Sequence, residues 1–134
     1  MKNLSKKLGE MTFDGLIAGL VPEVQVGGGV IRKLSAKATL KRGTILAKSS
    51  GTAGDGKLVV LGSTAATNET LTPDCVLCDD IEVGTTEDEN VAVYTAGCFA
   101  TGKVTVADGY TMTAGDLDNL RMRDIILKAV SPAN

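Results

Sequence analysis

Three cysteines are the residues of this chain whose type and spacing could support metal or redox chemistry. Cys75 and Cys78 form a CVLC stretch, and Cys98 is the third. Thiolates at that spacing can share a zinc ion or form a redox disulfide. A redox CxxC pair takes its low pKa from a helix N-terminus, whereas CVLC lies in an apparent strand, where positions three apart point to opposite faces. We therefore interpret the cysteines as strand residues that stay reduced.

A run of acids is the second candidate, because it could bind calcium. Six acids fall within eleven positions: Asp79, Asp80, Glu82, Glu87, Asp88 and Glu89. An EF-hand requires alternating oxygen ligands around a glycine and then a distant glutamate, and this order is missing. Paired acids also serve glycoside cleavage, but the chain has no Trp for a sugar platform. The run is predicted to be a solvated loop between two strands.

Composition excludes most catalytic classes. The 134 residues include no histidine, which removes the commonest general base and metal ligand and, with them, serine triads and HExxH sites. Aromatic residues make up 3% and the pI is about 5.1, so nucleic-acid binding is not expected. No apolar run approaches the ~20 residues that cross a bilayer. We expect a protein that is not an enzyme, with no cofactor, no metal and no membrane partner.

Two further motifs resemble known sites without completing them. The glycines at 27–29 are not followed by Gly-Lys-Ser, Gly-Lys-Thr or a helix, so they are interpreted as a flexible break rather than a phosphate cradle. AKATLKRGTILAK is similar to the turn of biotinyl and lipoyl carrier domains. Lys103 follows Gly102 but lacks the Met or Asp that flanks the modified lysine in such carriers.

The elements that must position these residues are mostly strands. TILAK, KLVVLG, CVLCDDIEV, VAVYTAGCFA and GKVTVA are short, β-branched and bounded by turns, at the spacing of a sandwich or barrel. Thr113 before Asp116 predicts a helix N-terminus with Leu117 and Leu120 on one face. The helix should end near Arg123, and DIILKAV should follow as a last strand. With few aromatic residues, the core of this single domain is predicted to be aliphatic.

Residues 1–23 are predicted to form an extended, partly apolar arm, and residues 24–134 a β-rich domain. Apolar residues from Phe13 to Val21 have helix-like spacing, but Gly15, Gly19 and Pro22 weaken a helix there. A frayed terminus and a first strand of the core are the alternatives.

Charge is distributed unevenly along the chain. Residues 1–57 carry ten Lys or Arg against four acids, and residues 58–134 carry four against twelve. The difference gives the folded molecule a polarity unless a sheet interleaves the two halves.

Five of these motifs also stand in the order of a known family. TFDGLIAG, LKRGTILAK, VLCDDIEV, VAVYTAGCFA and LDNLRMRDIILKAV together resemble the head decoration proteins of tailed phages, the family that includes the lambda capsid-stabilising protein. The resemblance implies a mostly β, β-tulip-type domain with an N-terminal arm. It also implies a homotrimer that binds the major capsid protein at three-fold sites of the expanded shell and resists the pressure of packaged DNA. Such a protein is made in the host cytoplasm and ends on the outer surface of the virion.

The resemblance places the capsid contacts in the arm. The expected contact residues are Lys6, Lys7, Thr12, Phe13, Asp14, Leu16, Ile17 and Leu20. An arm with free backbone groups could add a strand to a capsid-protein sheet edge, with Phe13, Leu16 and Ile17 filling side-chain pockets. Deleting residues 1–20 is then expected to leave a folded protein that no longer coats shells.

Two rival functions stay open at this point. A tail-tube or head-fibre component is one, because small β domains with arms serve there too. A biotinyl- or lipoyl-like carrier barrel is the other, and a covalent addition on one lysine would reveal it.

Overall fold

Strand formation dominates the chain, as its β-branched segments predict. The computed structural model describes residues 15–129. Within that range the strands are β1 (Ile17–Gly19), β2 (Gln25–Ile31), β3 (Ala38–Leu40), β4 (Ile45–Ser50), β5 (Leu58–Val60), β6 (Thr70–Leu77), β7 (Ile81–Val83), β8 (Glu89–Ala100) and β9 (Ile125–Lys128). A 3-10 turn covers Thr101–Lys103, and helix α1 covers Ala114–Met122. The predicted mostly β fold with one short helix near the C-terminus is confirmed.

The strands form a closed five-stranded barrel in the order β8, β2, β5, β4 and β6, with β6 returning to β8. Antiparallel pairing holds all of these neighbours except β2 and β5, which meet in parallel at Ile31 and Leu58. Closure matters because it gives each of the five strands a neighbouring strand on both sides. Outside the barrel, β3 pairs with β7 as a separate two-stranded sheet.

Strand β8 is the longest element and continues beyond the barrel. Its first part pairs with β2 and β6, and its last part pairs with β1 in antiparallel and β9 in parallel orientation. The register shifts between Gln25 and Val26, which lie opposite Ala96 and Tyr94. Such an irregularity bends a strand locally, and β8 turns there from the barrel wall to the extension that holds β1.

The core has two groups of buried side chains. One contains Leu16, Ile45, Ala47, Val59, Leu61, Val76, Cys78, Tyr94, Phe99, Leu120 and Ile125. The other contains Ile31, Leu46, Leu58, Cys75, Leu77, Val83 and Val93. Most members are aliphatic, as composition predicts, but Tyr94 and Phe99 are the two largest fully buried side chains, with ring centroids 5.4 Å apart. The few aromatic residues of this chain therefore include central packing residues.

Helix α1 begins where the sequence predicts. The Thr113 hydroxyl accepts a hydrogen bond from the Asp116 backbone N–H at 3.1 Å, and the Asp116 carboxylate accepts one from the Thr113 N–H at 3.0 Å. This reciprocal capping box satisfies amides that the first turn leaves open. The helix ends at Met122 with Arg123 as its C-cap, near the predicted position. Leu120 is fully buried whereas Leu117 is 36% exposed, so the two leucines do not share the buried face equally. No helix among residues 15–129 is long and apolar enough to span a membrane.

Three expectations about local structure were wrong. CVLCDDIEV is not one strand, because its first three residues end β6 and its last three form β7. The glycines at 27–29 are not a flexible break but lie inside β2, paired with β8. A Cβ at Gly29 would lie 2.5 Å from the Leu58 Cδ1 atom, so glycine lets the backbone approach this core side chain closely. GKVTVA does not form a full strand; its Gly102 and Lys103 belong to the 3-10 turn, and the rest makes one bridge, between Thr44 and Thr105.

Candidate functional site

The predicted arm residues divide into two groups by position. Lys6, Lys7, Thr12, Phe13 and Asp14 lie outside the described residues. Leu16, Ile17 and Leu20 lie inside them, and the structure places these three in very different surroundings.

Leu16 is a core residue. Its side chain is 1% exposed and belongs to the first core group. Its carbonyl oxygen accepts a hydrogen bond from the Ala100 N–H at 2.7 Å. A Cβ built at Gly43 would lie 3.2 Å from the Leu16 Cδ1 atom, which shows how closely the Gly43 backbone covers the leucine. The expectation that Leu16 offers its side chain to a capsid pocket needs correction, because that side chain is already packed in the first core group.

The segment after Leu16 is part of the sheet rather than an extended arm. Ile17 lies opposite Phe99 and Gly19 opposite Cys98 in the β1–β8 pair, and Ile17 is half-buried. The alternative of a first core strand thus describes residues 16–19 better than a free arm up to residue 23. A deletion of residues 1–20 would remove Leu16 from the core, so a test of the arm has to end earlier.

Gly15 marks the point where the chain reaches the sheet. Its φ of +73° lies in the left-handed region that favours glycine. A Cβ there would lie 3.4 Å from the Lys103 Cε atom, so the Lys103 side chain runs beside this point. Its position against Gly15 differs from the tight hairpin tip on which carrier domains present their lysine.

Exposed apolar residues follow β1 at once. Leu20 is 89% exposed and Val21 is 85% exposed, in the loop that joins β1 to β2. A buried leucine and an exposed one therefore stand four positions apart, with β1 between them. Beyond β1 the sheet has no further strand within residues 15–129, so its outer backbone groups can accept an added strand.

The three cysteines are buried free thiols. Cys75 and Cys78 belong to different core groups, which confirms that they point to opposite faces of the strand. Burial raises the pKa of the Cys75 thiol and raises that of Cys78 to about 11. Raised thiol pKa values disfavour the nucleophilic and metal-binding thiolate form. Among residues 15–129 no group of three or more possible ligands is placed to hold a metal ion.

The acidic run connects the two halves of the chain. Asp80 accepts a hydrogen bond from the Arg42 N–H and Asp88 one from the Lys33 N–H, each at 2.8 Å. Lys57 also pairs with Asp88, at 2.5 Å. The donors of Arg42 and Lys33 are backbone amides, whereas Lys57, Lys41 and Lys37 pair with acids of the run through their side chains. The run is therefore more than a solvated loop, because its acids pair with lysines of the first half. This interleaving cancels much of the polarity that the charge distribution suggests.

A second charged cluster lies on the barrel beside β4. Arg32 donates to Asp55 at 2.9 Å and to Glu69 at 2.5 Å. The Arg32 hydrogen bond lowers the pKa of Asp55 to about 2. For Glu69, hydrogen bonds from the Ala66 N–H, Ser49 and Arg32 lower the pKa to about 2. The charged groups of this cluster bind one another, which indicates a structural role.

A concavity of about 410 Å³ lies beside Thr44. Its polar lining includes Lys41, Thr44 and Thr105. The Thr44 hydroxyl donates to the Lys41 carbonyl at 2.6 Å and lies 3.1 Å from the Thr105 hydroxyl. These hydroxyls thus hold the Thr44–Thr105 bridge together.

Comparison with known proteins identifies the family. A search of curated proteins found no match. The family described as "Bacteriophage lambda head decoration protein D" matches residues 27–122, from within β2 to the end of α1. The match covers well over half of the chain and confirms the resemblance seen in its motifs. This chain therefore belongs to the bacteriophage lambda head decoration protein D family, whose role is structural decoration of the phage capsid.

Proposed function

We propose that this protein binds the exterior of the expanded phage capsid as a trimer at three-fold sites and stabilises the shell against the pressure of packaged DNA. Its partner is the major capsid protein, which it contacts through the N-terminal arm. Family membership supports the decoration role. The observation that carries the arm proposal is the buried Leu16 immediately before β1, followed by the exposed Leu20.

Leu16 and β1 give the arm a fixed origin. Because Leu16 is packed in the core and β1 is paired with β8, the residues before Gly15 start from a defined point on the barrel. Fixing one end of a binding segment lowers the conformational entropy that binding removes. The proposed capsid contacts are Lys6, Lys7, Thr12, Phe13 and Asp14 in the arm, with Ile17 and Leu20 at its origin.

Strand addition is the proposed mode of contact. The outer edge of β1 is open within the described range, and backbone hydrogen bonds to a capsid segment would use groups that are otherwise solvated. The exposed Leu20 then offers an apolar contact beside the added strand, and the lysines of the arm meet acidic capsid surface.

Three arms on one trimer would act together. If each arm binds with an affinity of ~1 mM, worth about 4 kcal/mol, linking three of them on a rigid body raises the combined affinity by orders of magnitude. The closed barrel suits this use, because a rigid body keeps the arms in register with their sites.

The test removes the arm while keeping its origin. A variant lacking residues 1–14 retains Leu16 and β1, so it should unfold at nearly the same temperature as the full chain. Mixed with expanded, undecorated shells and viewed by cryo-electron microscopy, the full chain should add density in threes at the three-fold sites, and the shortened chain should add none. Shells fully occupied by the shortened chain would refute the arm proposal. Shells that also stay bare with the full chain would favour a tail, fibre or carrier role.

A further inference from the structure

Large apolar side chains are exposed in two separate parts of residues 15–129. One part runs from Leu20 to Val30, and the other is on α1, where Met122 is 83% exposed. Leu20 and Val21 belong to the loop that the proposed function assigns to the capsid. The proposed function assigns no contact to Val26, Val30 and Met122.

Val26 and Val30 belong to an area of uncharged residues on the outer face of the barrel, here called the β2 patch. It consists of Val26, Gly28 and Val30 on β2 with Asn90 and Ala92 on β8. Val26 is 61% exposed and Val30 is 37% exposed, and the other three are also exposed. Gly28 lies opposite Ala92 and Val30 opposite Asn90. An outward barrel face usually carries polar side chains, so an apolar one indicates a contact surface.

Met122 projects from the last turn of α1. It lines a shallow concavity of about 340 Å³ together with Thr72, Asn119 and Arg123. Arg123 pairs with Asp74 at 2.9 Å. The neighbouring Arg121 is exposed and makes no ion pair within residues 15–129. Met122 is thus an apolar knob beside an available positive charge.

The β2 patch has the opposite charge at its end. Glu23 is exposed just before β2 and makes no ion pair within the described part of the chain. Glu23 and Arg121 therefore offer one pair of opposite charges between the two surfaces, beside the exposed acids Asp118 and Asp124 of the α1 end. Both surfaces also offer apolar contact area.

The two surfaces also lie on different flanks of the molecule. Strands β2 and β6 both border β8 in the closed barrel, and α1 packs on β6 and β9. One surface is therefore on the β2 flank and the other on the β6 flank. A ring of three identical subunits needs two such surfaces, because each copy contacts its two neighbours through different patches.

We infer that Met122 of one copy packs on the β2 patch of the next copy around the trimer, with Arg121 facing Glu23. The inference rests on the trimer of the proposed function and assigns its subunit interface. Gly28 fits this role, because an absent side chain lets the methionine approach the strand. Burying Met122 between copies also removes the more exposed of the two large apolar side chains on the surface of α1 from water.

The test uses full-length single variants, Val26→Glu and Met122→Glu, and the double variant Val26→Glu with Met122→Lys. Ala36→Glu, which adds the same charge at an exposed position between β2 and β3, is the matched control. Subunit number is measured by sedimentation equilibrium over a concentration series, and a thermal melt of each variant shows that the barrel is intact.

Each single variant should raise the trimer dissociation constant by about 30-fold or more, as removal of a central interface side chain does. The control should remain a trimer, and the double variant should recover association through the new Glu–Lys pair. Trimers that persist in both single variants, or a double variant no better than either, would overturn this interface and leave the trimer itself standing. A wild-type chain that is monomeric in solution and on the shell would overturn the trimer.

Discussion

Substituting Leu16 by Ala measures how firmly the origin of the arm is held. Leu16 is 1% exposed and packs with Ile45 and Phe99 in the first core group. Core Leu→Ala changes cost about 2–5 kcal/mol through lost transfer energy and the cavity that remains. Since β1 has only three residues and lies at the end of the sheet, its surroundings can relax, and we expect a loss in the lower half of that range, about 3 kcal/mol.

The assay is unfolding by urea and by heat, monitored by circular dichroism, with Leu20→Ala as the matched control. A loss of about 3 kcal/mol corresponds to a fall in Tm of roughly 10 °C for a domain of this size. Leu20 is 89% exposed, so its truncation should change the free energy of unfolding by less than about 0.5 kcal/mol. If Leu16→Ala cost no more than Leu20→Ala, Leu16 would not be a core residue, and the fixed origin of the arm would be refuted.

Three other predictions test the charged cluster, the thiols and one glycine. The folded-state pKa values of Asp55 and Glu69, about 2 each, lie below their ordinary values of 3.8 and 4.5; this stabilisation is therefore present at neutral pH and lost as the pH falls through that interval. The urea concentration at the unfolding midpoint should therefore fall as the pH is lowered from about 5 to about 2. Arg32→Ala should make this fall smaller, and a fall of the same size in that variant would contradict the stabilising role of the cluster. At pH near 8 a thiol reagent should modify none of Cys75, Cys78 and Cys98 in the native protein and all of them after denaturation, and one rapidly modified native thiol would show that burial is incomplete. Gly62→Ala should destabilise by more than about 1 kcal/mol, because φ is +97° and a Cβ would lie 2.4 Å from the Tyr110 ring. Gly109→Ala, with a φ of +79° but nothing within 4 Å, should cost less, and equal losses would rule out the clash.

Short sequence patterns were sufficient to predict several local features of the fold. The Thr113 and Asp116 pair predicted the start of α1 because a capping box is formed by residues three apart, without help from the rest of the fold. The opposite faces of Cys75 and Cys78 followed from strand periodicity alone. Family membership could be predicted from the order of five motifs, and the match over residues 27–122 confirms it.

Other features depend on contacts between distant residues. Gly27, Gly28 and Gly29 have low strand propensity, but pairing with β8 and the close approach of Leu58 hold them in β2. Leu16 could not be identified as a core residue, because its hydrogen bond and packing come from Ala100 and the first core group. The acids near residue 80 pair with bases some forty positions earlier, a distance at which sequence patterns carry no signal.

The position of β8 in the chain has a consequence for synthesis. Four of the five barrel strands precede residue 89, but both seams that close the barrel, to β2 and to β6, are made by β8. A growing chain therefore leaves the outer edges of β2 and β6 unpaired until β8 has left the ribosome. Contacts so distant in sequence slow folding, and open edges invite pairing with other chains. A message truncated before β8 should consequently yield an aggregating product rather than a smaller folded domain.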